Sequence, residues 1–200
     1  MATSKLEIFN QALFNIGHTK RVNTPTENTA ERLNCEAVYE PRKRTLIGMA
    51  KWGFAKTETT LSLTGYTPTG WDYEYFYPLH CVKALEISRA TKAEKRIPFQ
   101  TALRVNESTG EETKVIWTNQ SGASLLYLRD VKNTTIFPPN FETALSFFMS
   151  PDLARVMAKN SKSPSEMFQL FQYHFNQAIV SGEAEAIDEE EPEAEWITDR

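Results

Sequence analysis

A chain of 200 residues that is 40% hydrophobic and 12% aromatic is neither disordered nor fibrous, and suits one domain or one domain with an insertion. The net charge of −4 and a pI near 5.5 argue against a sequence-specific DNA binder. No run approaches the roughly 20 apolar residues of a membrane span. The two cysteines, Cys35 and Cys81, form neither a CxxC pair nor a secreted-type framework, and are expected as buried free thiols.

The opening "MATSKLEIFNQALFNIG" has no long apolar core and no cleavage-like site, which reads as cytosolic origin. Ser4 and Glu7 stand at capping-box spacing. Leu6, Phe9, Leu13 and Ile16 share a helical face, and Gly17 can end that helix. Asn28 and Glu31 offer a second capping pair. Ala30, Leu33, Ala37, Leu46, Ile47 and Ala50 outline a long second helix ending near Gly53. Pro41 lacks an N–H and is expected to split it into two pieces.

From Thr57 to Val131 the pattern changes. "TETTLSLTG", "WDYEYFYPL", "VKALEIS", "ALRVN", "TKVIWTN" and "SLLYLRDV" are short strand candidates, punctuated by Gly65, Pro68, Gly70, Gly110 and Gly122. "TNQSGAS" between two apolar runs predicts a hairpin turn. A strand through "WDYEYFYP" puts Trp71, Tyr73, Tyr75 and Tyr77 on one face, with Asp72, Glu74 and Phe76 on the other.

Helical spacing returns at Pro138 and Pro139. Phe141, Ala144, Leu145 and Phe148 form a stripe that Pro151 is expected to break and Leu153, Val156 and Met157 to resume. Ser163, Pro164 and Glu166 then supply an N-cap, a first helical position and a capping-box partner. Met167, Leu170, Phe171, His174, Ala178 and Ile179 make the apolar face of the last helix, and Gly182 is expected to stop it. The predicted fold class is α+β. Helices at 1–56 and 136–182 form a bundle, an antiparallel β subdomain at 57–135 is inserted into it, and residues 183–200 form an extended acidic tail.

The charge is unevenly placed. Residues 1–182 carry 21 Lys+Arg against 17 Asp+Glu, whereas the last eighteen carry nine acids and one base. Glu183, Glu185, Asp188, Glu189, Glu190 and Glu191 precede Trp196 and Ile197, a distal apolar pair that a solubilising tail does not need.

Sequence signals for chemistry are sparse. Phosphate-loop and dinucleotide motifs are absent. His18, His80 and His174 are scattered without zinc-ligand spacing, and His174 reads as a packing residue. No catalytic, cofactor or metal site is expected. Glu74, among aromatics that could stack on sugar, is the leading carboxylate for a glycosidase reading, although a stripe at period two is more often a packed sheet face. Arg42, Lys43 and Arg44 form a basic cluster that could bind phosphate, although such a cluster is more often a solvated helix face or an ion-pair partner for a neighbouring acidic surface.

Several stretches, taken in order, resemble one family. They are "EIFNQALFNIGHTKRVNT", "TENTAERLNCEAVYEPRKRTLIGMAKWGFAKTETTLSL", "WDYEYFYPLHCVKALEI" and "LLYLRDVKNTTIFPPNFETALSFFMSPDLA". They are similar to the head-to-tail adaptors of short-tailed bacteriophages, the tail tubular protein A or tail accessory factor type. The resemblance covers roughly residues 5 to 180. It is carried by "ALxxIG", the aromatic pair Trp52 and Phe54, a "YxYxYP" strand and "FPPxFxxAL".

The resemblance implies a structural virion protein, not an enzyme, with no cofactor. Such adaptors are assembled in the host cytoplasm and reside in the virion tail. They form a homo-oligomeric ring, typically of twelve copies, under the portal protein. The ring extends the DNA channel and gives a platform to the nozzle or tail tube protein and tail fibres. Genomic DNA passes through without sequence-specific binding, and no membrane is involved. The acidic tail is then expected to dock on the portal through Trp196 and Ile197, with Arg42, Lys43 and Arg44 at subunit or portal contacts. A tail-associated peptidoglycan hydrolase and a free-standing binding module are the alternatives.

Overall fold

The computed structural model describes residues 4–88, 96–107, 109–157 and 164–184. Ser4 caps the first helix, α1 (Lys5–Asn15). Its hydroxyl accepts from the Glu7 N–H and its own N–H donates to the Glu7 carboxylate. The capping box thus satisfies two donors that a helix start leaves bare. Gly17 follows the C-cap at φ +72°, and the Gly17 and His18 N–H groups close back onto the Phe14 and Leu13 carbonyls. That paired closure needs a left-handed residue, which glycine adopts without strain.

The second helix, α2 (Ala30–Met49), starts at a different cap from the Asn28–Glu31 pair. The Thr29 hydroxyl accepts from the Arg32 N–H. Nor does Pro41 divide it, because α2 is one helix through that residue. The last helices correct the sequence in the same way. The third, α3 (Pro139–Met157), contains Pro151, and the fourth, α4 (Pro164–Ala184), runs past Gly182. An internal proline costs about 3 kcal/mol. Tyr39, Leu46 and Ile47 on α2, and Met149, Leu153 and Ala154 on α3, are all buried around the two prolines. Each large apolar side chain among them is worth about 1.5–3 kcal/mol, so packing outweighs the missing hydrogen bond. Ser163, the predicted cap of α4, lies outside the described residues.

Six strands occupy the middle of the chain, each overlapping one predicted run, though β4 starts three residues before its run: β1 (Lys56–Thr60), β2 (Tyr73–Phe76), β3 (Cys81–Ser88), β4 (Phe99–Val105), β5 (Glu112–Thr118) and β6 (Ser124–Arg129). They form two antiparallel three-stranded sheets, ordered β1-β6-β3 and β2-β5-β4. The predicted hairpin at "TNQSGAS" is absent. β5 and β6 are the central strands of different sheets, so both edges of each are already taken. Residues 119–123 carry the chain from one sheet to the other, with Gly122 at φ +59°.

Two apolar cores result. The first gathers Phe9, Leu13, Tyr39, Leu46, Phe141 and Phe171 from the four helices, and takes in Leu128 and Val131 at the end of β6. The second lies between the sheets around Tyr75, Ile87, Ile116, Leu125 and Tyr127. The architecture is a mixed α+β fold. An aromatic cluster closes the first core: Phe141 lies 5.0 Å from Trp52, 4.7 Å from Phe54 and 5.0 Å from Phe137, centre to centre.

Truncating the hub of that cluster, Phe141→Ala, is expected to cost about 3–5 kcal/mol. Phe14→Ala, at a site exposed to solvent, should stay within about 0.5 kcal/mol. Urea unfolding of both variants against the parent checks the contrast.

Candidate interaction surfaces

The basic cluster on α2 does not act as one patch. Lys43 is only 1% exposed and points into the protein. Its ammonium lies 3.0 Å from the Asp130 carboxylate and 2.9 Å from Glu40, with the Tyr39 ring 5.6 Å away. A side chain so enclosed cannot meet a partner, so the expected contact role of Lys43 is withdrawn. The helix periodicity explains this: Tyr39, Lys43, Leu46 and Ile47 share the inward stripe of α2. Arg42 is half-buried, donates to Asp152 at 2.6 Å and stacks 4.6 Å from the Phe148 ring. It clamps α2 to α3. Arg44 alone stays largely in water, 3.9 Å from Asp130.

Glu74 is likewise internal. Its side chain is fully buried. One oxygen accepts from Thr64 at 2.7 Å and Arg104 at 3.1 Å, and the other from Trp117 at 2.8 Å. A general acid needs a proton to give and a path to substrate. Here both oxygens are occupied by donors from β4, β5 and the segment before β2. Glu74 therefore closes a buried polar network on the outer face of its sheet. Tyr73, Tyr75 and Tyr77 pack on the inner face, as the alternation predicts, while Trp71 is half-buried. Arg104 was not visible as its partner, because register between distant strands decides that pairing.

The histidines are accounted for by packing and local bonds. His18 contacts Glu31 at 3.0 Å. Glu31 sits at the start of α2, where its own N–H and His18 hold its carboxylate below the usual range. His174 stacks on Phe147 at 4.4 Å, and burial pulls its pKa down. His80 takes φ 62° in the turn before β3. Among the described residues no group of three or more His, Cys, Asp or Glu is placed to hold a metal ion. Both cysteines are buried and free, as expected. Burial pushes the Cys35 thiol up to about 12, with Glu31 and Glu36 adding to the shift.

The surface of α4 is different in kind. From Met167 to Gly182 there is no Asp, Glu, Lys or Arg. Met167, Phe171 and Ala178 face the core, which explains the apolar half. The outward half is uncharged too: Gln169, Gln172, Asn176 and Gln177 surround Tyr173 and Val180, which are 59% and 66% exposed. A solvated helix face ordinarily carries Lys and Glu. Depletion of charge beside an exposed tyrosine is the composition of a contact surface. This signal stood in the sequence as a charge-free run of sixteen residues, and the apolar-face reading absorbed it. α4 takes in Glu183 and Ala184, the first two residues of the predicted tail, and residues 185–200, with Trp196 and Ile197, lie outside the described residues, as do the side chains of Glu183 and Ala184.

The chain matches no protein-family model and no curated protein.

Two measurements test this assignment of the charges. Lys43→Met should destabilise by about 3–5 kcal/mol, because it leaves the buried Asp130 carboxylate only the exposed Arg44, 3.9 Å away, as a counter-charge. Arg44→Met should change stability by no more than about 0.5 kcal/mol. In an alkaline titration, the folded state holds the Cys35 proton more tightly than the unfolded chain. Unfolding then releases a proton, so stability should fall as pH rises above about 9 and continue falling towards about 12. A Cys35→Ala variant should show a shallower decline.

Proposed function

We propose that the protein is a structural adaptor that assembles as a ring, with twelve copies the expected number, beneath the portal of a short-tailed bacteriophage. The observation that best supports this is the uncharged exposed face of α4. A subunit that must bind its neighbours needs a wide face free of unpaired charges, since each buried charge left without a partner costs several kcal/mol. In this reading the helices from both ends of the chain form a bundle that makes the ring. The β portion is inserted into it as a separate layer. Nozzle or tail tube and fibre proteins mount on the ring, DNA passes through its lumen, and the protein is not an enzyme.

The C-terminal segment is the docking arm to the portal. Its carboxylates steer it to a basic surface, and Trp196 and Ile197 anchor it, because a buried aromatic contributes more than a rim charge. Arg44 is the one member of the basic cluster still available for a subunit or portal contact. The hydrolase reading loses its leading carboxylate, as Glu74 already accepts from three donors.

Co-sedimentation with a purified portal tests the proposal. The full chain should bind. Removal of residues 185–200 should abolish binding with an unchanged circular-dichroism spectrum. Tyr173→Lys should weaken ring formation at least tenfold, about 1.4 kcal/mol per contact. Unchanged attachment of the truncated chain would sink the docking arm, and unchanged rings with Tyr173→Lys would remove the α4 interface.

A further inference from the structure

The two sheets part company at a single point. β3 and β4 are the outer strands of different sheets, and among the described residues an isolated bridge from Ile87 of β3 to Ile97, just before β4, joins them. Beyond it they diverge and leave a cleft of about 440 Å³, with Tyr77, Val82 and Phe99 as apolar lining and Lys83 and Lys114 as its charges. Lys114 lies over the Tyr77 ring at 3.8 Å, and Lys83 donates to the Gly48 carbonyl at 3.3 Å. Among the described residues neither lysine has a carboxylate partner. Glu86 and Glu112 stand outside the lining.

The two strand edges are not alike. Two register shifts interrupt β3, the usual way of making an edge unfit for further pairing. β4 has seven successive pairs with β5, no shift, and no other strand partner among the described residues. Its Leu103 and Val105 are more than half exposed. A regular, partly apolar edge beside a cleft accepts an added strand: backbone bonds supply affinity and the cleft supplies selectivity.

We propose that the cleft and the β4 edge are the seat of the chain's own C-terminal segment, residues 185–200, from the same or a neighbouring copy. Three observations converge on it. The segment carries eight acids and one base, opposite in sign to the unpaired Lys83 and Lys114. After Pro192 its one strand-prone stretch is "EWIT", whose Trp196 is the large aromatic that a Tyr77–Val82–Phe99 lining suits.

The third observation is reach. The segment leaves α4 where that helix lies against the start of α3, and α4 also packs on the residues that follow α2. Ser181 of α4 accepts from Asn140, and Phe175 of α4 packs on Trp52. Trp52 lies four residues beyond Gly48, the residue that Lys83 contacts. Sixteen residues reach at most roughly 50 Å, ample for that path. The inference stands whether or not the adaptor reading does. Were both right, the arm would be held on the β portion until a portal displaces it.

The test uses the full chain with Trp196→benzoylphenylalanine, irradiated, digested and mapped by mass spectrometry. Adducts should concentrate on Tyr77–Ala84, Phe99–Thr101 and Lys114, and gel mobility reads whether they join one copy or two. Lys114→Glu, at an exposed site, should lower their yield about tenfold, and about 0.5 M salt should lower it too. Lys83→Glu provides a second charge reversal should Lys114→Glu alter the fold. Adducts concentrated on α4 or any surface outside the cleft, no adducts, or yields indifferent to both charge reversals would overturn the proposal.

Discussion

The ammonium of Lys43 sits where almost no water reaches, and the junction between the two cores depends on how it is met. Asp130, just past the end of β6, supplies a carboxylate at 3.0 Å, and Glu40 supplies a second one turn back on α2. The Asp130 oxygen nearest Lys43 is buried and accepts no hydrogen bond of good geometry, so the attraction there is between charges. Removing either partner leaves the other charge only its weaker, more exposed counter-ion, Glu40 for Lys43 and Arg44 for Asp130, which is more costly than the pair is beneficial. The pair therefore fixes where α2 must lie against the sheet. Leu128 and Val131, on either side of Asp130, enter the helical core at that place. Trp52, Phe54, Phe137 and Phe141 close around the two crossings between helices and strands.

That junction changes what the charged residues can be. Lys43, Arg42 and Glu74 are the positions where a chemist would first look for binding or catalysis. Each is committed inside the molecule: one to the α2–β6 joint, one to α3, one to the outer face of a sheet. What remains outside is a set of surfaces. The half-exposed apolar residues of the uncharged α4 face and of the open β4 edge are the surfaces on which both proposals rest. The adaptor proposal rests on that organisation as much as on the resemblance.

Much of the fold was legible. Capping at Ser4, closure at Gly17, six strand runs and the buried face of α4 follow from local rules of hydrogen bonding and periodicity. The failures share one cause. Pro41 and Pro151 are local stop signals that burial on both sides of each overrides, and α4 runs past Gly182 to Ala184. The hairpin expected at residues 118–124 fails because pairing partners are chosen by the sheets as wholes. "KVIWT" and "SLLYL" each lack strict alternation, which marks strands covered on both faces. Candidate sites were less legible. Lys43 reads as surface until helix phase places it beside Tyr39 and Leu46. Arg104 can be found as the partner of Glu74 only from register. The uncharged face of α4 stands in the sequence as a run without charge.

The most direct measurement is cryo-electron microscopy of the full chain mixed with a short-tailed phage portal from its own system. The account predicts a closed symmetric ring beneath the portal, with the uncharged face of α4 at the boundary between neighbouring copies. A chain that stays monomeric beside an unoccupied portal would contradict it, as would a ring whose subunit boundaries leave α4 in solvent.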